Sequence, residues 1–388
     1  MEPRQVIPGN QANDQLLYFT SSSLTDDDRY LVFISDRSGH PNLFFTDLHT
    51  SQITQLTFNS SGYLKSYVYF CGLPYQGLGK ASISLDSARG IAYFIQGKQI
   101  CCVDLRGSTR ILNELPDNQV TAFTHVSTDG KRLCVPTTDA RALDDDRPVR
   151  GSANKPDYDI DKRIQEERLN SFIHIYDTQS GAELHREKVE CAWITHVQFS
   201  PINSDWILYN HEWPSDCGIR RMWLWDGNQH FRLREEGEKR NRLDWVCHEV
   251  WTKDGNSVIY HGNYHQGPYF LGKVAIHDRK NCEIPLPDGF DQYGHFNLLN
   301  ENVLVSDGYF KQGQSNGSVG EWLSLQKVSW NSKLIDWIPL CRHGSNWDSQ
   351  DSHPHPIFNH KGTEVFFTSN KNGFRSVYQV DISGLISC

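Results

Sequence analysis

The chain has 388 residues and a formal net charge of −9, and 38% of its residues are hydrophobic. This composition is sufficient for a large core, and the acidic balance argues against nucleic acid as a partner. The 11 Trp, 19 Phe and 16 Tyr, against 2 Met, favour β structure, because aromatic side chains fit pleated, half-buried surfaces.

The N-terminal sequence M-E-P-R-Q-V-I-P-G-N has no apolar core typical of a signal peptide. No apolar run approaches the ~20 residues that a membrane helix needs. The 10 Cys are scattered, with one adjacent pair, Cys101 and Cys102, and without a C-x-x-C spacing. Thiols in this arrangement are typical of a reducing compartment. We therefore expect a cytoplasmic protein without a membrane partner.

One pattern recurs along the chain: a short strand, a polar turn that often contains Asp-Gly or Asn, and an apolar strand. Its copies lie at 23–33, 82–94, 125–135, 196–209, 248–260, 295–305 and 355–367. A third strand ending near Asp follows most copies, as in L-F-F-T-D-L, and then a fourth, as in Q-I-T-Q-L-T. The spacing of the second strands, roughly 40 to 75 residues, is near that of propeller blades. The sequence thus predicts an all-β, seven-bladed β-propeller of four-stranded antiparallel blades.

A β-sandwich array is the rival fold, and the even spacing without linkers argues against it. Since no Gly/Ser-rich or Pro-rich linker interrupts the chain, we predict a single domain over residues 1–388. The third copy is followed by a charged insertion at 141–170, whose end, D-Y-D-I-D-K-R-I-Q-E-E-R-L, is a candidate short helix. Insertions of this kind lie on one face of a propeller, often the binding face.

Histidines open the first strand of four successive copies: His196, His248, His295 and His355. The first strand of a propeller blade lines the central channel, so equivalent positions form a ring. A single histidine there would ordinarily bond to backbone and cap the blade. Four in register favour a functional site.

The segment 345–358 reads S-N-W-D-S-Q-D-S-H-P-H-P-I-F. In an extended chain His353 and His355 point to the same side, and the prolines after them stiffen the backbone. With the amide of Gln350 they indicate a site for Mn, Fe, Ni or Zn, although polar residues at a loop mouth are the simpler interpretation. A set of three histidines, drawn from this segment and the ring, with one amide would leave coordination positions of the metal open for water or substrate.

A second group lies in N-H-E-W-P-S-D-C-G-I-R-R-M-W-L-W-D, at 210–226. His211 and Glu212 leave one strand, and Arg220 and Arg221 enter the next. Arginines beside a metal would suit a carboxylate substrate, because the guanidinium presents fork-shaped donors. A surface arginine pair that caps a loop is the alternative.

These motifs resemble those of the oligogalacturonate lyase family, cytoplasmic seven-bladed propellers that finish pectin breakdown. The segment 345–358 is similar to the family's metal loop, with Gln350, His353 and His355 at matching positions. His295, in Y-G-H-F-N, matches the remaining ligand. Three further family patterns are kept as H-E-x-P…R-M-W from His211, C-H-E-x-W from Cys247 and A-W-x-x-H from Ala192. The resemblance is strong from about Ala192 onward and weak before it.

The chain departs from the family pattern at three places. Trp213 replaces a small residue between Glu212 and Pro214, and the four residues before Arg221 differ and add Arg220. The N-terminal copies lack the family's opening histidine and have L-L-Y-F instead. These differences bear on the exact substrate more than on the chemistry.

The resemblance implies β-elimination in short oligogalacturonides, such as digalacturonate or its unsaturated form, giving 4-deoxy-5-keto uronate monomers. It implies a divalent metal, with Mn²⁺ expected, held by His295, Gln350, His353 and His355. The family's proposed base matches Arg221, but arginine is always protonated, so His248 is the more ordinary base. His196 and His211 would hold the sugar or protonate the leaving oxygen, and Arg220 would add a carboxylate contact.

Two alternatives remain open. The first is a lyase that acts on a different oligouronide. The second is a non-catalytic propeller, either a scaffold or a sugar-binding protein, because the repeat also resembles that of periplasmic scaffold propellers. The C-terminal histidines distinguish the two classes, since a scaffold has no reason to gather them.

Overall fold

The computed structural model describes residues 1–8, 11–62, 70–71, 78, 80–142, 159–212, 221–234, 244–264, 267–287, 294–308, 321–347 and 350–386, with the backbone alone at 70–71, 159–162 and 350. Over these ranges nearly all regular structure is β-strand, and the α-helix is Asp159–Glu167. Short 3-10 helices lie at Lys80–Ser82, Ala140–Ala142 and Gln350–Ser352. No helix in the described ranges is long and apolar enough to cross a membrane.

Within the described ranges, the strands form seven antiparallel sheets, six with four strands and one with six. In each four-stranded sheet the strands follow one another from edge to edge in chain order, except in the last sheet, whose outer strand comes from the N-terminus. This is a seven-bladed β-propeller with one sheet per blade, so the predicted fold class is confirmed.

The chain divides into two compact units. The first comprises Met1–Arg37, Phe44–Thr54 and Asp244–Cys388. Four sheets belong to it, although the residues 42–43 and Gln55 of the first sheet fall in the other unit. Their strands are Asp14–Leu16, Tyr30–Ser35, Asn42–Asp47 and Ile53–Gln55; Trp245–Trp251, Ser257–Asn263, Tyr269–Ala275 and Asn281–Pro285; Phe296–Asn300, Val303–Ser306, Trp322–Ser329 and Leu334–Arg342; and Ile357–Phe358, Glu364–Ser369, Ser376–Asp381 and Arg4–Gln5.

The second unit comprises Ser38–Leu43 and Gln55–Leu243 and contains three sheets. Their strands are Ser84–Asp86, Ile91–Gln96, Gln99–Asp104 and Thr109–Glu114; Phe70–Cys71, Gln119–Thr121, His125–Val126, Arg132–Asp139, Ser171–Asp177 and Glu183–Val189; and Val197–Phe199, Ile207–Asn210, Met222–Trp225 and His230–Arg232.

A recurrent polar turn joins the first and second strands of a blade. Thr252 donates its hydroxyl to Asp254 at 2.6 Å, and Gly255 follows with a φ of 66°. Ser127 and Asp129 repeat the same bond at 2.6 Å. The glycine accepts the left-handed backbone without a Cβ clash, and the carboxylate also takes nearby backbone N–H groups. The chemistry of this turn explains why the Asp-Gly pattern predicted the blades.

Apolar side chains pack between neighbouring sheets. In the first unit one such cluster joins the two sheets that begin at Trp245 and Phe296, and its buried members are Ile259, Leu271, Ile284, Leu286, Phe296, Leu298, Leu304, Val328 and Trp330. A second joins the last two sheets, with Val305, Leu325, Phe358, Val365 and Phe367 among its members. Burying each such side chain contributes about 1.5–3 kcal/mol, so these layers hold the blades that carry the site.

The six-stranded sheet and the insertion depart from the regular repeat. In that sheet both Gln119–Thr121 and His125–Val126 pair with Arg132–Asp139, and Phe70–Cys71 adds a further edge strand. The short helix predicted at the end of the insertion 141–170 is confirmed as Asp159–Glu167. Residues 143–158 of the insertion lie outside the described residues. A single domain over 1–388 stays a prediction.

Candidate functional site

Three histidines of the first unit converge on one point. The imidazole nitrogens that His295, His353 and His355 offer all lie within 4.8 Å of one another. The ring centroids of His295 and His355 are 4.1 Å apart, and those of His295 and His353 are 5.2 Å apart. His295 and His355 are buried, and His353 is partly exposed. The cluster is therefore fixed on one side and open on the other.

The starts of two inner strands position these rings. His295 directly precedes Phe296–Asn300, and His355 lies two residues before Ile357–Phe358. The backbone of His355 is left-handed, with a φ of 45°, although it is not a glycine. The N–H of Thr368 bonds to the carbonyl of Pro354 at 2.9 Å and ties the segment to the neighbouring strand. Strained backbone of this kind persists where its surroundings hold it, often at functional sites.

A buried carboxylate supports the cluster from behind. Asp307 Oδ2 lies 3.2 Å from His295 Nδ1 and accepts the backbone N–H of His355 at 3.1 Å. Burial alone would raise the pKa of Asp307, but His295, His353 and the N–H of His355 outweigh it, so the pKa is lowered and the group is a carboxylate. A carboxylate on Nδ1 leaves Nε2 of His295 as the ligating nitrogen and fixes the ring orientation.

Aromatic rings surround the histidines. Trp347 lies 4.4 Å from His353 between ring centroids, and Tyr18 lies 5.2 Å from His355. Phe19 is 5.4 Å from His295. Tyr18 and Phe19 belong to the L-L-Y-F segment at 16–19. They make this side of the cluster apolar, which restricts water around the imidazoles.

A fourth histidine extends the cluster. The ring of His248 lies 4.3 Å from that of His295, and its Nδ1 is 2.7 Å from Nε2 of His261. His248 has a φ of 54° and sits in a bulge, because the strand register shifts between Cys247 and Val250. Bulges re-aim side chains. Here the bulge directs His248 toward His295 and His261.

The donor set of the three-histidine cluster fits a divalent transition metal. Three imidazoles at this separation, one of them oriented by a buried carboxylate, are ligands that Mn, Fe, Ni and Zn accept. The backbone of Gln350 opens the 3-10 helix Gln350–Ser352, and its side chain lies outside the described residues. A four-ligand set with Gln350 therefore stays a prediction.

The second unit has its own polar cluster, centred on Glu212. Glu212 Oε2 accepts hydrogen bonds from Thr195 at 2.7 Å and from Arg221 Nη1 at 3.0 Å. Asn210 donates to the same oxygen, and His196 Nδ1 lies 3.5 Å away. Burial would raise the pKa of Glu212, but Arg221 above all, with His196 and Thr195, lowers it far below its usual range. Glu212 thus holds Arg221 as a fixed cation.

The two histidines of this cluster have different surroundings. His196 stacks on Phe123 with ring centroids 4.2 Å apart and an interplanar angle of 11°. His211 is buried against Tyr209 and Trp223. Burial, with a smaller contribution from His230, lowers the pKa of His211 to about 3. His211 is therefore neutral near pH 7 and offers a hydrogen bond rather than a charge.

Several predicted residues are thus gathered in each unit: His248, His295, His353 and His355 in the first, and His196, His211 and Arg221 in the second. Arg220 and Trp213 lie outside the described residues. No role was predicted for Asp307 or His261, and Glu212 was not predicted to be the partner of Arg221. A signal existed for Glu212 alone, because it belongs to the H-E-x-P pattern.

Fold and site together define a seven-bladed β-propeller with a histidine cluster suited to a metal ion. Over 206 residues the chain is 24% identical to an oligogalacturonide lyase of Pectobacterium atrosepticum, a match that covers 49% of this chain and 50% of that protein. The solved oligogalacturonate lyase of Vibrio parahaemolyticus superposes with a TM-score of 0.76 at 20% identity, covering 97% of this chain and 93% of the other. The resemblance to the oligogalacturonate lyases is confirmed.

A solved oligogalacturonate lyase in complex with manganese also superposes, with a TM-score of 0.75 at 19% identity, over 97% of this chain and 92% of that one. No family model matches the chain. The chain spans about half the length of the curated relative it matches. The structural likenesses show the fold.

Proposed function

We propose that the protein is a metal-dependent lyase that cleaves short oligogalacturonides by β-elimination. The observation that carries this proposal is the convergence of His295, His353 and His355, with nitrogens within 4.8 Å of one another, beside His248. This arrangement offers a cation site and a proton acceptor in one place. We further propose Mn²⁺ as the metal, since a similar solved lyase is in complex with manganese.

The reaction removes the C5 proton of a uronate, which is α to the carboxylate, and expels the C4 oxygen. The electron pair of the broken C5–H bond forms a π bond between C4 and C5, the C4–O bond breaks, and the leaving oxygen takes up a proton. A divalent cation bound here would act as a Lewis acid on the uronate carboxylate and stabilise the charge that develops. His295, His353 and His355, with Gln350 as the expected fourth ligand, would hold it. Asp307 keeps His295 in the ligating orientation.

The surroundings of the two candidate bases favour His248. Arg221 donates to the buried carboxylate of Glu212 at 3.0 Å. Removing a proton from this guanidinium would leave Glu212 without its counter-charge. Deprotonation is also unfavourable for any arginine, because the pKa of the guanidinium is very high. His248 is partly exposed and lies 4.3 Å from His295 between ring centroids. An imidazole changes protonation near neutral pH, as general base catalysis requires.

We assign the cluster around Glu212 to substrate binding. Arg221, fixed as a cation, would pair with a uronate carboxylate, and His196 would contact a sugar hydroxyl. His211, neutral by burial, would contribute a hydrogen bond. Arg220 stays a predicted further carboxylate contact. The substrate would be a digalacturonate or its unsaturated form, in pectin breakdown, and a cytoplasmic location stays a prediction.

The test combines metal analysis with an oligouronide panel. Purified protein is loaded with Mn²⁺ and mixed with saturated and unsaturated oligogalacturonides and with other oligouronides. The new double bond conjugated to the carboxylate is followed by its ultraviolet absorbance. We expect cleavage of short oligogalacturonides, and we expect His353→Ala to lose bound metal and activity together. His248→Ala should keep the metal and lose activity by about 10²–10⁴-fold.

His277→Ala is the matched control, because His277 is a surface side chain, 80% exposed, in the same unit. It should retain both metal and activity. Activity in metal-free protein would overturn the proposed chemistry. Metal binding without cleavage of any oligouronide would instead favour the sugar-binding or scaffold alternative. Cleavage confined to other uronides would favour a lyase of different specificity.

A further inference from the structure

A second convergence of metal-ligating side chains lies in the sheet that begins at Trp245. Cys247 on the first strand pairs directly with His261 on the second. Residues directly opposite in an antiparallel pair project from the same face of the sheet. The Cys247 and His261 side chains therefore share one face.

His248 joins them because of the bulge. In a regular strand the residue after Cys247 would point to the opposite face. The register shift between Cys247 and Val250, with a φ of 54° at His248, brings its ring back to the face of Cys247. His248 Nδ1 consequently lies 2.7 Å from His261 Nε2. The ligand atoms that Cys247, His248 and His261 offer all lie within 4.8 Å of one another.

We propose that Cys247, His248 and His261 form a second metal site, selective for a borderline-soft divalent cation such as Zn²⁺ or Co²⁺. One thiolate and two imidazoles are the donors that these cations prefer, whereas Mn²⁺ favours harder ligands. The chemistry of this set thus differs from that of the cluster of three imidazoles at His295. A water molecule would complete a tetrahedral coordination.

The distances require only small side-chain movements. Tetrahedral Zn²⁺ with bonds of about 2.0–2.1 Å to nitrogen and 2.3 Å to sulfur separates its ligand atoms by roughly 3.3–3.6 Å. The two imidazole nitrogens, now 2.7 Å apart, would separate by about 0.6 Å, and the thiol would turn inward. His261 is fully buried, between Trp245 at 5.3 Å and Phe296 at 6.0 Å. It provides the fixed ligand, while Cys247 and His248 are partly exposed and able to adjust.

Occupation of this site has a consequence that rests on the proposed function. A cation on His248 would take up the nitrogen lone pair and remove the proposed base. Excess Zn²⁺ should then inhibit the lyase reaction, and Cys247→Ser should weaken this inhibition. Binding itself does not depend on the reaction, so the two proposals fail separately.

Cobalt spectroscopy of the full chain tests the site. Protein loaded with Mn²⁺ is titrated with Co²⁺, and the thiolate-to-cobalt charge-transfer band and the visible bands of tetrahedral cobalt are recorded. We expect added Co²⁺ to produce both, whether or not it also replaces Mn²⁺ in the three-histidine cluster. Cys247→Ser should abolish the charge-transfer band, and His261→Asn should weaken cobalt binding at least tenfold. His353→Ala should leave the charge-transfer band in place.

Cys282→Ser is the matched control, because Cys282 is a partly exposed thiol on the fourth strand of the same sheet. It should keep the band. Circular dichroism identifies any variant that fails to fold, and Cys247→Ser, the smaller change, decides the result if His261→Asn does not fold. A wild-type protein without a thiolate band would overturn the proposal, as would a band that survives Cys247→Ser.

Discussion

Glu212 concentrates more polar contacts than its position in a strand-to-loop segment would suggest. Its Oε2 accepts from Thr195, Asn210 and Arg221, and the carboxylate is largely removed from water. A buried ion pair contributes little net stability relative to apolar residues, but removing one partner leaves an uncompensated charge. Glu212 and Arg221 must therefore be considered as one unit.

Replacing Glu212 by Gln should destabilise the protein at neutral pH by about 3 kcal/mol, because Arg221 would stay buried without its counter-charge. The pKa of Glu212 is lowered from its ordinary 4.5. The ionised carboxylate therefore stabilises the folded protein fully above the pKa of the unfolded chain, and this stabilisation declines as the pH falls toward the lower pKa of the folded state. Below pH 4.5 the gap between wild type and Glu212→Gln should narrow by about 1.4 kcal/mol per pH unit. Urea unfolding at several pH values measures this difference in the free energy of unfolding.

Glu190→Gln serves as the control, since Glu190 is 68% exposed and pairs with Lys188 at the surface. Its effect should be much smaller than that of Glu212→Gln, because solvent screens the exposed pair. A gap for Glu212→Gln that is constant between pH 7 and pH 4 would show that the carboxylate is not held ionised by Arg221.

At the residue scale, the sequence could predict those site residues whose spacing carries a signal. His353 and His355 are two apart on a proline-stiffened segment, and His295 starts an aligned strand. Asp307 directly follows the second strand Val303–Ser306, and His261 lies within the second strand Ser257–Asn263. Each follows an apolar run and resembles an ordinary strand end. Only the pairing of strands brings Asp307 to His295 and His261 to His248.

At the scale of the element, the strand Trp245–Trp251 shows what a bulge does to a side chain. The alternation of residues in V-C-H-E-V-W gives no sign of the register shift between Cys247 and Val250. The left-handed φ of 54° at His248 is not encoded by a glycine either. This backbone conformation is imposed by the tertiary surroundings. For this reason the sequence could predict His248 as a member of a histidine ring but could not predict its contact with His261.

The φ of His248 makes a prediction about stability. A residue with a Cβ pays about 1–2 kcal/mol in the left-handed region, and glycine does not. His248→Gly should therefore be more stable than His248→Ala by about 1 kcal/mol, although both lose the imidazole. The same pair of substitutions at Val250, whose φ is not positive, should give the opposite order, with Ala above Gly. Guanidinium unfolding of the four variants decides this, and an identical order at both positions would contradict the strained bulge.

At the scale of the whole molecule, the sheets were predictable because polar turns recur between the first two strands of several blades. The pattern of Thr or Ser, Asp and Gly fixes the turn between the first two strands, as at Thr252 and Asp254, and it recurs in the sequence. The extra strands of the sheet at Phe70–Cys71 and Gln119–Thr121 carry no such turn. Their pairing joins segments about fifty residues apart, so a local pattern could not show it.

The N-terminal strand joins the first residues of the chain to the last blade. Arg4 and Gln5 pair with Gln379 and Tyr378, and the N–H of Val6 bonds to the carbonyl of Val377 at 2.9 Å. Ile7 follows and is fully buried. The edge strand of a sheet otherwise exposes unpaired backbone groups. These first residues therefore complete the blade that also carries His355.

Deleting residues 1–7 should lower the free energy of unfolding by roughly 3 kcal/mol, from the lost burial of Ile7 and the lost ladder bonds. In a chain of this length we expect the thermal midpoint to fall by about 4 °C. Deleting residues 1–3 is the control, because it removes the bond from the terminal amine to Leu340 and leaves the strand and Ile7 in place. That variant should melt within about 2 °C of the wild type. Equal midpoints for the two deletions, by scanning calorimetry, would mean that the N-terminal strand does not stabilise the last blade.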